Sequence, residues 1–212
     1  MQLAMQRFGY LGNSDVIRHW FQRGWQMRDA DAQNCFEPFI FTWIALNAWG
    51  ECVTGEERDQ IWVRALARDK SLNQVFSDYL NGAVQQPAAD RFRSRWPIPL
   101  VQAWRRHDPL QPNTNSPQDR ARFFAEHKIP FEPACSLQHF DRGEQIPLDW
   151  EHFLPATYRV RCNLFHGEKS PYDPVDAEIV CASFQMLVGF MDRLGHFSCT
   201  RPNTFVGPLA AT

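Results

Sequence analysis

The chain has 212 residues, a formal net charge of −2 and 44 % apolar residues, which suits one domain with a sizeable insertion better than two full domains. Mild acidity excludes the electrostatic profile of a general nucleic-acid binder. No apolar run approaches the ~18 residues of a membrane span, so none is expected.

The remaining bulk features narrow the class further. Of 22 basic residues, 19 are Arg and 3 are Lys. That bias fits a GC-rich coding sequence, and it also fits phosphate recognition by the planar guanidinium. The six cysteines are scattered, with no C-x2-C pair, and reduced buried thiols are expected. No H-E-x-x-H is present, so no metal and no cofactor are expected. The first residues, MQLAMQRFGYLGN, lack the charged start, long apolar run and cleavage site of a signal peptide, which places the chain in the cytoplasm.

Residues 1–13 form a mixed lead-in. Asn13 or Ser14 can cap a helix running to about residue 28, with Val16, Ile17, Trp20, Phe21 and Trp25 on its apolar face. Residues 29–34 are a turn. A second helix spans 35–49: Asn34 and Glu37 resemble a capping box, Pro38 sits near the start, and Gly50 ends it. Phe36, Phe39, Ile40, Trp43 and Ile44 follow helical spacing, and Asn47 continues their stripe. A buried amide must find partners. Asn47 therefore either bonds neighbouring backbone or reaches toward Arg161 and His166 to help bind substrate. A third helix spans 54–69, acidic first and basic last as the macrodipole favours. A fourth spans 71–80.

Residues 81–118 break this pattern. Pro87, Pro97, Pro99, Pro109, Pro112 and Pro117 punctuate the segment. Arg91, Arg93, Arg95, Arg105 and Arg106 surround Phe92, Trp96 and Trp104. It reads as a short helix or extended stretch, a proline-rich turn, then a helix over 100–106. Basic and aromatic residues interleaved in this way suit single-stranded RNA, through backbone contact and base stacking. The plainer reading is an insertion whose aromatics dock on the core while the arginines are solvated. Next come a helix over 117–127 capped by Ser116 and a long irregular loop over 128–153. A helix over 154–169 follows, stopping at Gly167. The last helix spans 176–194, and a weakly ordered tail ends the chain. Strand signals are weak throughout, so the fold class is all-α. The short connection makes the last two long helices antiparallel neighbours.

The 154–169 helix carries the most chemistry. Pro155 fits its first turn, and Leu154, Tyr158, Cys162 and Phe165 form a core-facing stripe. Arg161 and His166 are five apart, about 140° around an ideal helix, and are expected to converge only at its last turn. Singly, each has a plain reading: Arg161 pairs with Glu151 or Glu168, and His166 meets the helix dipole.

The stretch YRVRCNLFHGEK resembles the Arg-x4-6-His signature of HEPN domains, an all-α superfamily of nucleases and binding modules. The earlier stretch FIFTWIALNAWG resembles that family's second long helix. The resemblance implies an antiparallel helical bundle, here with a Pro/Arg-rich insertion. It also implies a metal-independent ribonuclease acting as a homodimer on RNA, with the motifs meeting in a composite site. Toxins and phage-defence effectors are common in the family, so an antitoxin or other regulatory protein is an implied partner. Arg161 matches the motif Arg, His166 the motif His, and Asn163 an asparagine common inside it. Cys162 stands where the family more often has a polar residue.

The chemistry agrees with the residue types. A 2′-hydroxyl attacking the adjacent phosphate needs a base, an acid and positive charge on the phosphorane. Histidine serves as base or acid near neutral pH, and arginine stabilises the negative charge. Arg159 and Lys169 are expected to bind flanking phosphates. A two-fold dimer would double the sparse set. The alternative is a non-catalytic module binding a nucleotide, RNA or protein.

Overall fold

Side-chain caps fix where four of the described α-helices begin. A computed structural model describes residues 13–82, 85–106 and 116–197. Helix α1 spans Asn13–Gln26, and a 3-10 turn, Ala32–Asn34, follows with Asp31 as its cap. Then come α2 (Phe36–Thr54), α3 (Asp59–Ala67), α4 (Lys70–Leu80) and α5 (Gln86–Ser94). Strand β1 (Ile98–Pro99) leads into α6 (Val101–Arg105), and α7 (Pro117–Glu126) leads into strand β2 (Phe131–Glu132). Helices α8 (Ser136–Asp141), α9 (Trp150–Phe165) and α10 (Pro174–Leu194) complete the order. Asp69, Ser116, Asp149 and Asp173 each accept hydrogen bonds from the first-turn N–H groups of α4, α7, α9 and α10, satisfying donors that a helix start leaves open. The only strand pairing among the described residues is β1 with β2, antiparallel, Ile98 opposite Glu132. The fold is all-α.

Aromatic side chains fill the centre. Phe76 of α4 packs on Phe153 of α9, and Trp150 stacks near Phe190 of α10, at centroid separations of 4.9 and 4.2 Å. Phe92 of α5 meets Phe153 at 5.3 Å, so the insertion's first helix belongs to the core. A second cluster joins Trp43 of α2, Trp62 of α3 and Tyr158 of α9. Phe197 fills a gap between Phe21 and Trp49, so the expected weakly ordered tail begins with a docked residue. The rest of that tail and the lead-in (1–12) lie outside the described residues.

Several expected boundaries move, each for a local reason. Asn34 belongs to the 3-10 turn rather than capping α2. Helix α2 continues through Gly50 to Gly55, whose φ of 74° is the left-handed stop. Gly50 is small because Trp62 lies on it: a Cβ there would sit 2.7 Å from Trp62 Cε3. With Thr54 absorbed into α2, α3 starts only at Asp59. The irregular loop contains α8, and α9 starts four residues early at its Asp149 cap, which puts Pro155 inside the helix rather than in its first turn. The buried residues of α9 are Trp150, Phe153, Leu154, Ala156, Thr157, Val160 and Asn163; of the expected stripe, Leu154 is buried and Tyr158 packs on the core, but Phe165 is 50 % exposed. Val16, expected on the apolar face of α1, is likewise exposed.

One further expectation changes. The structure pairs Cys35 with Cys181, their Cα atoms 4.9 Å apart, so these two thiols are not separate. Cys135 and Cys162 are free thiols. Among the described residues, α10 is long and apolar enough to cross a bilayer, but 67 % of that stretch is buried inside this bundle.

Candidate functional site

Helix α9 ends in a paired turn. Gly167 N–H donates to Leu164 O at 3.0 Å and Glu168 N–H to Asn163 O at 2.9 Å, with Gly167 at φ 71°. These are the two bonds of a Schellman motif, which closes the last open carbonyls. His166, the capping residue, is exposed at this turn. Among the described residues, no hydrogen bond or ion pair engages its ring.

Arg161 faces a different set of groups. Its Nη1 lies 3.3 Å from Asp59 Oδ2, and each of these side chains keeps about a quarter of its surface. The guanidinium sits 4.5 Å from the Phe165 ring centroid and 5.9 Å from that of Trp43, both within cation–π range. Asp59, rather than Glu151 or Glu168, is its ion-pair partner. No bond joins Arg161 to His166. The neighbouring Tyr158 hydroxyl is held well above its ordinary pKa by burial, reinforced by Cys162 and Asp59, so it stays protonated.

Asn163 is fully buried, and both ends of its amide are occupied. Nδ2 donates to Pro99 O at 2.9 Å, and Oδ1 accepts from Val101 N at 3.1 Å. The motif asparagine thus clamps the backbone between β1 and α6. A second fastening is the ion pair of Arg105 with Glu168, 2.5 Å, in which Glu168 is almost wholly covered. Together the two contacts hold the insertion's second half against the tip of α9.

The other candidates divide. Lys169 pairs with Asp176 and is 10 % exposed. Arg159 points toward Glu132 at 3.9 Å, a carboxyl pushed above its ordinary range by burial, which Arg159, the Ala134 N–H and Arg64 only partly offset. Arg91 donates to Gln185 at 3.0 Å, and Arg95 pairs with Glu178, so both tie α5 to α10. Arg93 pairs with Asp90 on the exposed face. Arg106 ends α6, exposed. Phe92 and Trp96 are 0 % and 1 % exposed, which removes them as base-stacking platforms. Trp104 packs on Phe124 at 5.7 Å. Asn47 donates to Glu51 Oε1 at 2.6 Å within α2, and its buried Oδ1 has no partner among the described residues. It reaches neither Arg161 nor His166.

Sequence reasoning missed Asp59, the carboxylate that holds Arg161, and offered Glu168 to Arg161 where it holds Arg105. It also missed a group formed by Cys135, His139 and His152. The signal for that group was a C-x3-H on one short helix with a third ligand thirteen residues on, a spacing outside the C-x2-C and H-E-x-x-H patterns. No family model, curated protein or solved structure matches the chain.

Proposed function

We propose that the chain is a metal-independent endoribonuclease of the HEPN type, cleaving RNA in the cytoplasm as a homodimer and serving as a toxin or phage-defence effector. The observation that supports it best is an unengaged imidazole on a closed helix end, with the arginine-bearing insertion fastened beside it through Asn163 and Glu168. His166 takes the proton from the attacking 2′-hydroxyl, or returns one to the departing 5′-oxygen. A two-fold axis brings a second His166 to the opposite oxygen. Arg161 stabilises the phosphorane, exchanging the Asp59 carboxylate for a phosphate oxygen. Arg105 and Arg106 hold flanking phosphates. Asn163 is a positioning residue in this scheme.

The test is cleavage of single-stranded RNA in EDTA by the wild type and by His166→Ala. Loss of cleavage in the variant, with 2′,3′-cyclic phosphate ends from the wild type, supports the proposal. Equal cleavage by both sinks it. The Arg161–Asp59 pair favours a second reading, a non-catalytic RNA-binding module. That reading predicts retained RNA affinity without turnover, unchanged by His166→Ala.

A further inference from the structure

We propose that Cys135, His139 and His152 form a zinc-binding site, separate from the α9 tip. One ligand atom from each lies within 4.8 Å of the others. Tetrahedral zinc, with bonds of about 2.0–2.3 Å, needs these atoms about 3.5 Å apart, so side-chain movements of about an ångström close the site. Cys135 immediately precedes α8, His139 lies one turn into it, and His152 stands in the first turn of α9. The three come from two elements that meet, and all are partly buried.

The surroundings argue for a metal rather than a chance cluster. His152 Nδ1 lies 2.6 Å from Asp149 Oδ1, and His139 Nδ1 lies 3.2 Å from Glu144 Oε2. Each ring thus has a carboxylate on one nitrogen, which fixes its tautomer and leaves Nε2 for a metal. Carboxylate–histidine–zinc arrangements are built this way. The two rings sit edge to face with centroids 5.7 Å apart. A zinc site takes Cys135 as the thiolate and both histidines as neutral imidazoles, so loading releases protons to solvent. A thiolate and two imidazoles suit zinc better than magnesium or calcium, which prefer oxygen ligands. Three protein ligands leave the fourth position to water.

Fourteen residues of helix separate His152 from His166, about 21 Å along the axis. The two sites can therefore be tested independently. The full-length protein is loaded with zinc and, separately, with cobalt(II), and bound metal is measured per chain. Wild type and His166→Ala are expected to hold one zinc. The cobalt form should show a thiolate charge-transfer band and tetrahedral d–d absorption. Cys135→Ala should lose the band, His139→Ala should lose zinc, and Glu144→Gln should weaken zinc binding about tenfold. Zinc retained equally by Cys135→Ala and His139→Ala would overturn the proposal. Should those variants fail to fold, the wild-type cobalt spectrum decides: no thiolate band overturns it, and a band with tetrahedral absorption upholds it.

Discussion

Asn163 shows how one side chain can fasten two distant elements. Its amide satisfies Pro99 O and Val101 N–H, both in the strand-to-helix passage of the insertion. Asn163→Ala orphans both groups, and the expected cost is about 2 kcal/mol or more. Urea unfolding would measure that cost, and faster exchange of the Val101 amide would place it; unchanged stability and exchange would contradict the assignment. Glu132 makes a pH-dependent case. Its folded pKa is raised above the unfolded one, chiefly by burial. The folded state therefore binds the proton more tightly, and stability is lost as pH rises from the ordinary carboxyl range through the raised value. Glu132→Gln should stabilise the protein at about pH 7 and give little or no gain at about pH 4, near the ordinary carboxyl range. Urea midpoints at both values test this, and a gain that shrinks with rising pH would refute it. At this scale the sequence singled out Arg161, Asn163 and His166, but not the contacts that Arg161 and Asn163 make. Spacing along one helix does not say which distant backbone meets an amide, here about sixty residues away in the chain.

At the scale of elements, the wrong boundaries share a cause. Gly50 and Pro155 were read as punctuation, because the usual roles of these residues are stop and start. Tertiary contact overrode the first, and the earlier Asp149 cap overrode the second. Gly50 sits mid-helix under the fully buried Trp62 ring. Gly50→Ala would gain about 1 kcal/mol in helix propensity, but it forces a methyl group into a ring that has nowhere to go. Overpacking of this kind costs about 1–3 kcal/mol, so a net loss is expected as a lower urea midpoint with the slope unchanged. A variant as stable as the wild type would mean that the α2–α3 seam is loose. Helices with a clear cap and a clear stripe were legible: α4 and α7 fall within a residue or so of expectation. Helix α8 was not legible, since six residues give too few turns for a periodic signal.

For the whole molecule, the all-α class followed from helical periodicity throughout and the lack of alternating strands. The insertion was legible in part: Phe92 and Trp96 dock on the core as its plainer reading expected, but Arg91 and Arg95 grip α10 instead of being solvated. Composition reports what a segment contains, whereas docking depends on a surface supplied by α9 and α10. Replacing residues 86–106 with a glycine–serine linker is accordingly expected to abolish fixed aromatic packing. Collapse of the near-ultraviolet circular dichroism, with much helical signal retained, is the measurable outcome. A cooperatively folding protein with an intact near-ultraviolet spectrum would show the insertion to be dispensable.

Helix α10 gives this dependence a cellular edge. By length and composition alone this helix could pass for a membrane span, yet 67 % of its apolar window is buried, chiefly against α2, α4, α5 and the 3-10 turn. All four are synthesised earlier, so their surfaces can be ready when α10 emerges. Damage to those partners would expose a large apolar surface on the nascent chain, and the expected fate is aggregation rather than quiet unfolding.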